Sequence, residues 1–292
     1  MPDAQPAEAL PTRCAYRGVK GSNRGESCLH LTKQPPPSQR KPPNFHGHHD
    51  HANYDRQTAC EPAHPLRPQG KFPDRLLDLY LAQNPVTDEG LSYFKDCKNL
   101  VYLTLDQIQA GDAGLAHFKD CKELKGIRLS GMPIFDLGLA HFKDCKNLTD
   151  LTLDHLQISD AGLAHFKGCK NITQLRLQGS HIGDAGFSNF LGCRNLVDLD
   201  LSASQMTDVG LSYFMDCKNL KAVSLDRTSL SDTGLELLAA LPSLTSLHIK
   251  ATKVTETGVK KLSAALPGCK IEWDGGVIEP TASSDPDRRA AE

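Results

Sequence analysis

The residue types best suited to chemistry here are histidine and cysteine, and both are unevenly placed. Residues 46–51 read His-Gly-His-His-Asp-His, with Cys60 and His64 close behind. Imidazole and thiolate are good ligands for zinc, nickel or copper. The spacing matches no zinc-finger pattern, and the surrounding chain has no period that would hold a fixed geometry. No metal site is expected there, and no cofactor. The chain has ten cysteines, six of which (Cys97, Cys121, Cys145, Cys169, Cys193 and Cys217) recur at intervals of 24 residues. A disulfide needs Cα atoms within roughly 4.4–6.8 Å, and a helix layer carrying these residues should splay too widely for that. Free cysteine packs as a small buried hydrophobe. The expectation is a structural ladder of thiols in a reducing, cytoplasmic compartment.

Catalytic constellations are missing from the sequence. Gly18, Gly21 and Gly25 have neither the spacing nor the following Lys-Ser/Thr of a phosphate loop. There is no His-Arg-Asp loop, no Asp-Phe-Gly, no Gly-x-Ser-x-Gly elbow and no His-Glu-x-x-His. His117, His141 and His165 repeat in register beside Lys119, Lys143 and Lys167, which reads as a solvated helical stripe. The chain is therefore expected not to be an enzyme.

What orders these residues is a 24-residue unit repeated eight times from Leu76 to about Pro267. Units start at Leu76, Leu100, Leu124, Leu148, Ile172, Leu196, Leu220 and Leu244. Aliphatic residues follow three and five positions later, as in Leu79 and Leu81 or Leu247 and Ile249. Alternation over so short a run predicts a strand buried on one face. An acid then recurs at Asp88, Asp112, Asp136, Asp160, Asp184, Asp208, Asp232 and Glu256, where a carboxylate suits the first turn of a helix. Two residues after each acid comes a glycine, Gly90 through Gly258. Glycine costs about 1 kcal/mol in a helix against alanine, so close helix-to-strand packing is expected to exclude a Cβ there. Leu91 and Phe94, with their equivalents, share one helical face. Each unit reads as strand, turn and short helix, and units bury their apolar faces only by stacking.

The pattern Leu-x-x-Leu-x-Leu, a later Ile or Val, Asp-x-Gly-Leu and a late Cys resembles the cysteine-containing class of leucine-rich repeats. Phrases such as Asp-Ala-Gly-Leu-Ala-His-Phe-Lys-Asp-Cys, and the ending Leu-Pro-Gly-Cys-Lys-Ile-Glu-Trp-Asp-Gly-Gly-Val, are similar to a bacterial branch whose arrays often sit beside serine/threonine kinase domains. The resemblance implies an α/β fold: a right-handed curved solenoid with a parallel β-sheet on the concave face and helices on the convex face. It also implies two further possibilities, the sensor part of a kinase signalling system whose kinase lies outside this chain, and a substrate receptor in protein turnover. In the family a polar residue eight positions after the start hydrogen-bonds between turns. Asn84, Ser180, Ser204, Thr228 and Thr252 fit this, whereas Ile108, Met132 and Leu156 do not.

Alternation also selects the residues that face out from the strands. Those expected to carry binding are Asp78, Tyr80, Tyr102, Asp106, Arg128, Asp150, Asp154, Arg176, Asp198, Asp200, Asp226 and His248. They differ from unit to unit while the core positions do not, as a binding surface on a rigid scaffold requires. Seven aspartates outnumber two arginines in this set, so the face is expected to be mildly acidic and to favour a basic protein partner. Tyr80 and Tyr102 are the expected anchors.

The net charge of −2 lacks the basic footprint of a nucleic-acid binder. No apolar run approaches the 18 or more residues of a membrane span, so neither nucleic acid nor membrane is expected as a partner. Three regions follow. Residues 1–72, which hold eleven of the eighteen prolines, are expected to be disordered. Residues 73–275 form the repeat domain, closed by a cap strand through Ile271 and Trp273. Residues 276–292 are expected to be a disordered tail. The first repeat has no evident cap, so Leu76, Leu79 and Leu81 should be covered by residues 60–75, or fray, or meet a second copy.

Overall fold

The computed structural model describes residues 17–20, 27–32 and 76–281. The strands are β1 (Arg17–Lys20), β2 (Ser27–Thr32), β3 (Leu76–Ala82), β4 (Tyr102–Asp106), β5 (Gly126–Ser130), β6 (Asp150–Thr152), β7 (Gln174–Arg176), β8 (Asp198–Asp200), β9 (Ala222–Ser224), β10 (Ser246–His248), β11 (Lys270–Trp273) and β12 (Gly276–Ile278). They form one sheet in chain order. From β2 to β11 every pairing is parallel and, from β3 onward, in register at 24 residues: Leu79 lies beside Leu103, Leu103 beside Ile127, and Leu247 beside Ile271. Among the described residues, only the two terminal pairings, β1 with β2 and β11 with β12, are antiparallel.

Each repeat returns along the opposite layer through a short helix: α1 (Asp88–Leu91), α2 (Asp112–Leu115), α3 (Asp136–Leu139), α4 (Asp160–Leu163), α5 (Asp184–Phe187), α6 (Asp208–Ser212), α7 (Asp232–Leu238) and α8 (Glu256–Ala265). The first five are single turns that tighten into a 3-10 turn ending at the repeated phenylalanine. α7 and α8 run longer because Leu and Ala, good helix formers, replace residues of the Phe–Lys–Asp–Cys segment. Between the layers lies one continuous core. Phe118, Phe142, Phe166, Phe190 and Phe214 are all fully buried, as are the strand leucines.

Strands occur in both end ranges expected to be disordered. β1 and β2 fall within residues 1–72. The alternation of Cys28, Leu29, His30 and Leu31 is too short to stand out in a proline-rich context, and it acquires meaning only beside β3. β2 pairs in parallel with β3, so the first repeat is not an open edge, and Leu76, Leu79 and Leu81 are all buried. The 46–51 histidine stretch and residues 60–75 lie outside the described residues. At the other end, residues 276–278 belong to β12 rather than to a disordered tail, because Gly276 adopts a positive φ of 124° and lets the chain reverse against β11. The cap is thus a two-stranded hairpin.

The acid opens its own helix, in the first turn as expected, whereas the glycine has a different basis from the one expected. The acid's carboxylate reaches into the next repeat. Asp88 Oδ1 accepts the N–H of Gly111 at 2.7 Å and of Gly114 at 2.9 Å. Asp136 Oδ1 accepts from Ser159 N–H at 2.8 Å, and Asp136 Oδ2 from the Ser159 hydroxyl at 2.6 Å. The same bond recurs from Asp112 to Phe135, Asp160 to Gly183, Asp184 to Thr207, Asp208 to Ser231, and Asp232 to Thr255. A Cβ on Gly162 would meet Asp136 Oδ1, not a strand residue.

The thiols form a second ladder. Cys121, Cys145, Cys169, Cys193 and Cys217 each donate Sγ–H to the carbonyl of the cysteine one repeat earlier, at 3.1–3.4 Å. Burial pushes Cys121, Cys145 and Cys217 up to about 12 and Cys169 up to about 11. Ser180, Ser204 and Thr228, eight positions after their starts, bond within their own turn. The hydroxyls of Ser180, Ser204 and Thr228 donate to carbonyls three residues back at 2.7 Å. Being self-contained, that bond can be replaced by the buried side chains of Ile108, Met132 and Leu156 without breaking a ladder.

Candidate partner-binding face

Parallel, in-register pairing sets the outward residues in columns. One column runs Asp78, Tyr102, Gly126, Asp150, Gln174, Asp198. Its neighbour runs Tyr80, Thr104, Arg128, Thr152, Arg176, Asp200, Ser224, His248. Asp106 and Ser130 end β4 and β5, and Asp154 and Asp226 lie two residues beyond β6 and β9.

Several expected partner-binding aspartates are occupied by the scaffold. Asp154 Oδ1 accepts the N–H of Gln178 at 2.9 Å, and Asp226 Oδ1 that of Lys250 at 2.6 Å. Asp200 Oδ1 accepts from Ser202 N–H at 3.0 Å, and Asp150 from the Thr149 hydroxyl at 2.6 Å. Burial raises the carboxyls of Asp106, Asp154 and Asp198 above their ordinary range. Asp198 is partly compensated by Arg176 at 3.8 Å. These acids support the sheet at least as much as they charge its surface.

Tyr102 is different. It is 46 % exposed, and a Cβ on Gly126, its neighbour on β5, would lie 2.5 Å from the tyrosine ring. The missing side chain lets the ring lie across the sheet. Burial raises both Tyr102 and Tyr80 above the ordinary phenol value. Tyr80, Asp106 and Arg128 meet in a cleft of about 340 Å³, together with Gln83, Gln107 and Ser130. Ser130 hydrogen-bonds the Asp106 carboxylate, whose Oδ1 is buried without a hydrogen-bond partner.

His248 lies far from this cleft, on the last repeat. Glu272 of the cap strand stands 3.6 Å from His248 Nδ1, 2.8 Å from Lys250 Nζ and 3.0 Å from Lys270 Nζ. Hydrogen bonds from Lys250 and Lys270 hold Glu272 down at about 2. Lys270 and Glu272 were not among the expected face residues, although continuing the alternation into the cap strand would have found them. Gln83 and Gln107 were also missed. They hold φ of 53° and 52°, a backbone state repeated at Gly131, His155, Gly179, Ala203, Arg227 and Ala251. No single residue type marks that position.

The fold and its columns define a leucine-rich-repeat solenoid. The chain belongs to the BspA-type leucine-rich repeat family, whose sequence model matches six copies across residues 82–190 and 140–261. Among solved structures it is similar to internalin C2 of Listeria monocytogenes, at 25 % identity and a TM-score of 0.53, covering 64 % of this chain and 76 % of that one. A second Listeria monocytogenes internalin aligns at 17 % identity and a TM-score of 0.42, covering 68 % of this chain and 74 % of that one. No curated protein matches the sequence. Membership of this family supports a protein-interaction module in general terms. Among the described residues no helix is long and apolar enough to cross a membrane, and no group of three His, Cys, Asp or Glu could hold a metal ion.

Proposed function

We propose that the chain is a non-catalytic module that holds a partner protein on the outward, concave side of its sheet, with Tyr102 as the central anchor. The observation carrying this reading is the exposed Tyr102 ring laid across Gly126, which offers a large, rigid apolar surface with a polar tip. Exposed Arg128 lies in the neighbouring column one strand on, and exposed Gln174 lies three strands along the column of Tyr102. A mildly acidic face still favours a basic partner, although the scaffold roles of Asp154 and Asp226 leave fewer free acids than their number suggests. The kinase-sensor and protein-turnover readings draw on resemblance alone, and no described feature favours either. Self-association through the first repeat has less support, since β2 already occupies that strand's edge.

The test is affinity capture from native lysate, comparing the intact chain with Tyr102→Ala/Gln174→Lys. Loss of a specific partner by the variant supports the face. Equal capture by both moves binding to the helical side.

A further inference from the structure

The cleft spanning repeats 1 to 3 sets opposite charges side by side. Its walls carry one carboxylate, Asp106, one guanidinium, Arg128, the phenol of Tyr80, and the amides of Gln83 and Gln107. Both glutamines stand at left-handed backbone positions, where an L-residue costs about 1–2 kcal/mol. Asp106 has a buried oxygen with no hydrogen-bond donor, and an unpaired buried acceptor is costly. Ser130 bonds the carboxylate through its hydroxyl and its backbone N–H, and the nearby Arg128 guanidinium offsets part of its charge. The homologous carboxylates Asp154 and Asp226, in repeats 4 and 7, likewise accept a backbone N–H from the next repeat, at 2.9 Å and 2.6 Å.

We infer that this cleft is a binding site for a zwitterionic group: an ammonium or guanidinium, which pairs with Asp106, set beside a carboxylate, which pairs with Arg128. A lone cation entering the cleft would meet Arg128, and a lone anion would meet Asp106. Only a ligand with both charges satisfies both walls, and Arg128 is suited to a carboxylate by its planar fork of donors. The volume of about 340 Å³ is at the small end of ligand pockets, which suits an amino-acid-sized group better than a nucleotide. Such a group has two sources, a free amino acid or a Lys/Arg–Asp/Glu pair in a partner's peptide segment. The second source rests on the partner-binding reading above.

Isothermal titration of the full chain separates these cases, with L-arginine, capped Ac-Arg-Asp-NH2 and agmatine as probes. L-arginine, the capped dipeptide or both should saturate at one site per chain. Agmatine, which has the cation without the carboxylate, should bind at least tenfold more weakly. Asp106→Asn and, separately, the exposed Arg128→Gln should each weaken binding at least tenfold, with thermal unfolding confirming that both variants fold. Saturation by L-arginine alone assigns the free amino acid, and saturation by the dipeptide alone assigns a partner segment. No saturation by any probe, agmatine binding as well as L-arginine, or unchanged affinity in both variants overturns the site. The variants leave Tyr102 and Gln174 intact, so a partner still captured while no probe saturates overturns the cleft and spares the face. A cleft that saturates while nothing is captured does the reverse.

Discussion

The carboxylate of Asp136 fills the space that a Cβ on Gly162 would need: the added carbon would lie 2.5 Å from Oδ1. The two residues are in successive repeats, and the bond that holds the carboxylate there is the one to Ser159. Glycine is thus required by its predecessor's acid, not by the strand layer.

Gly162→Ala is therefore expected to lower stability by about 1–3 kcal/mol, well beyond the ordinary gain from removing a helical glycine. Asp136→Ala alone should also destabilise, because Ser159 loses its acceptor. The double variant should be less damaged than the sum of the two. Urea unfolding of all four proteins measures the coupling, and strict additivity would contradict the steric account.

The left-handed positions give the opposite sign. Ala203 holds φ of 55°, so Ala203→Gly should stabilise the protein by about 0.5–1 kcal/mol, the relief of strain exceeding the entropy lost. Gly179→Ala should destabilise, since it strains a φ of 66° and places a Cβ against the His155 ring. Shifts of the urea midpoint in opposite directions would bear this out.

Thiol reactivity offers a third check. With Cys121, Cys145 and Cys217 pushed up to about 12 by burial, these thiols stay neutral and hydrogen-bonded through ordinary pH. Pulsed alkylation at pH 8 with mass-spectrometric readout should label them only as fast as the array opens. Labelling within seconds in native buffer would rule out the closed ladder.

Asp154 links the face to pH. Its folded-state pKa is raised, chiefly by burial. The stability it contributes is fully present below the unfolded value near 3.8 and is lost as pH rises through the folded value. Asp154→Asn keeps the oxygen that accepts Gln178 N–H. The variant should melt higher than the parent at pH 7, on the order of 2 °C, and the difference should shrink towards pH 4. A constant difference across that range would show that the charge is not the cause.

Much of this architecture is legible in the amino-acid order because its period is. Leu79, Leu103 and Ile127 identify the buried strand face by alternation alone, and the stacked phenylalanines follow from helical spacing. Relations spanning one repeat were harder to see. The acid at Asp136 and the glycine at Gly162 are both obvious, but only the packing of consecutive turns shows that each explains the other. The left-handed positions were invisible because Gln, Gly, His, Ala and Arg all occupy them. For the site, alternation found Tyr80, Asp106 and Arg128 but not the cleft that joins them, which depends on the curvature and depth of neighbouring strands. Asp154 and Asp226 were read as surface charge because a backbone N–H partner in the next repeat leaves no mark on sequence.

The two side-chain ladders have a mechanical consequence. Successive repeats are joined along the strands, at the helix starts through Asp, and at the helix ends through Cys. Three separated lines of attachment work like the chords of a truss. Bending the array in any direction must stretch at least one of them. A protein held on the proposed face would therefore meet a stiff template, and would have to bring its own shape to match.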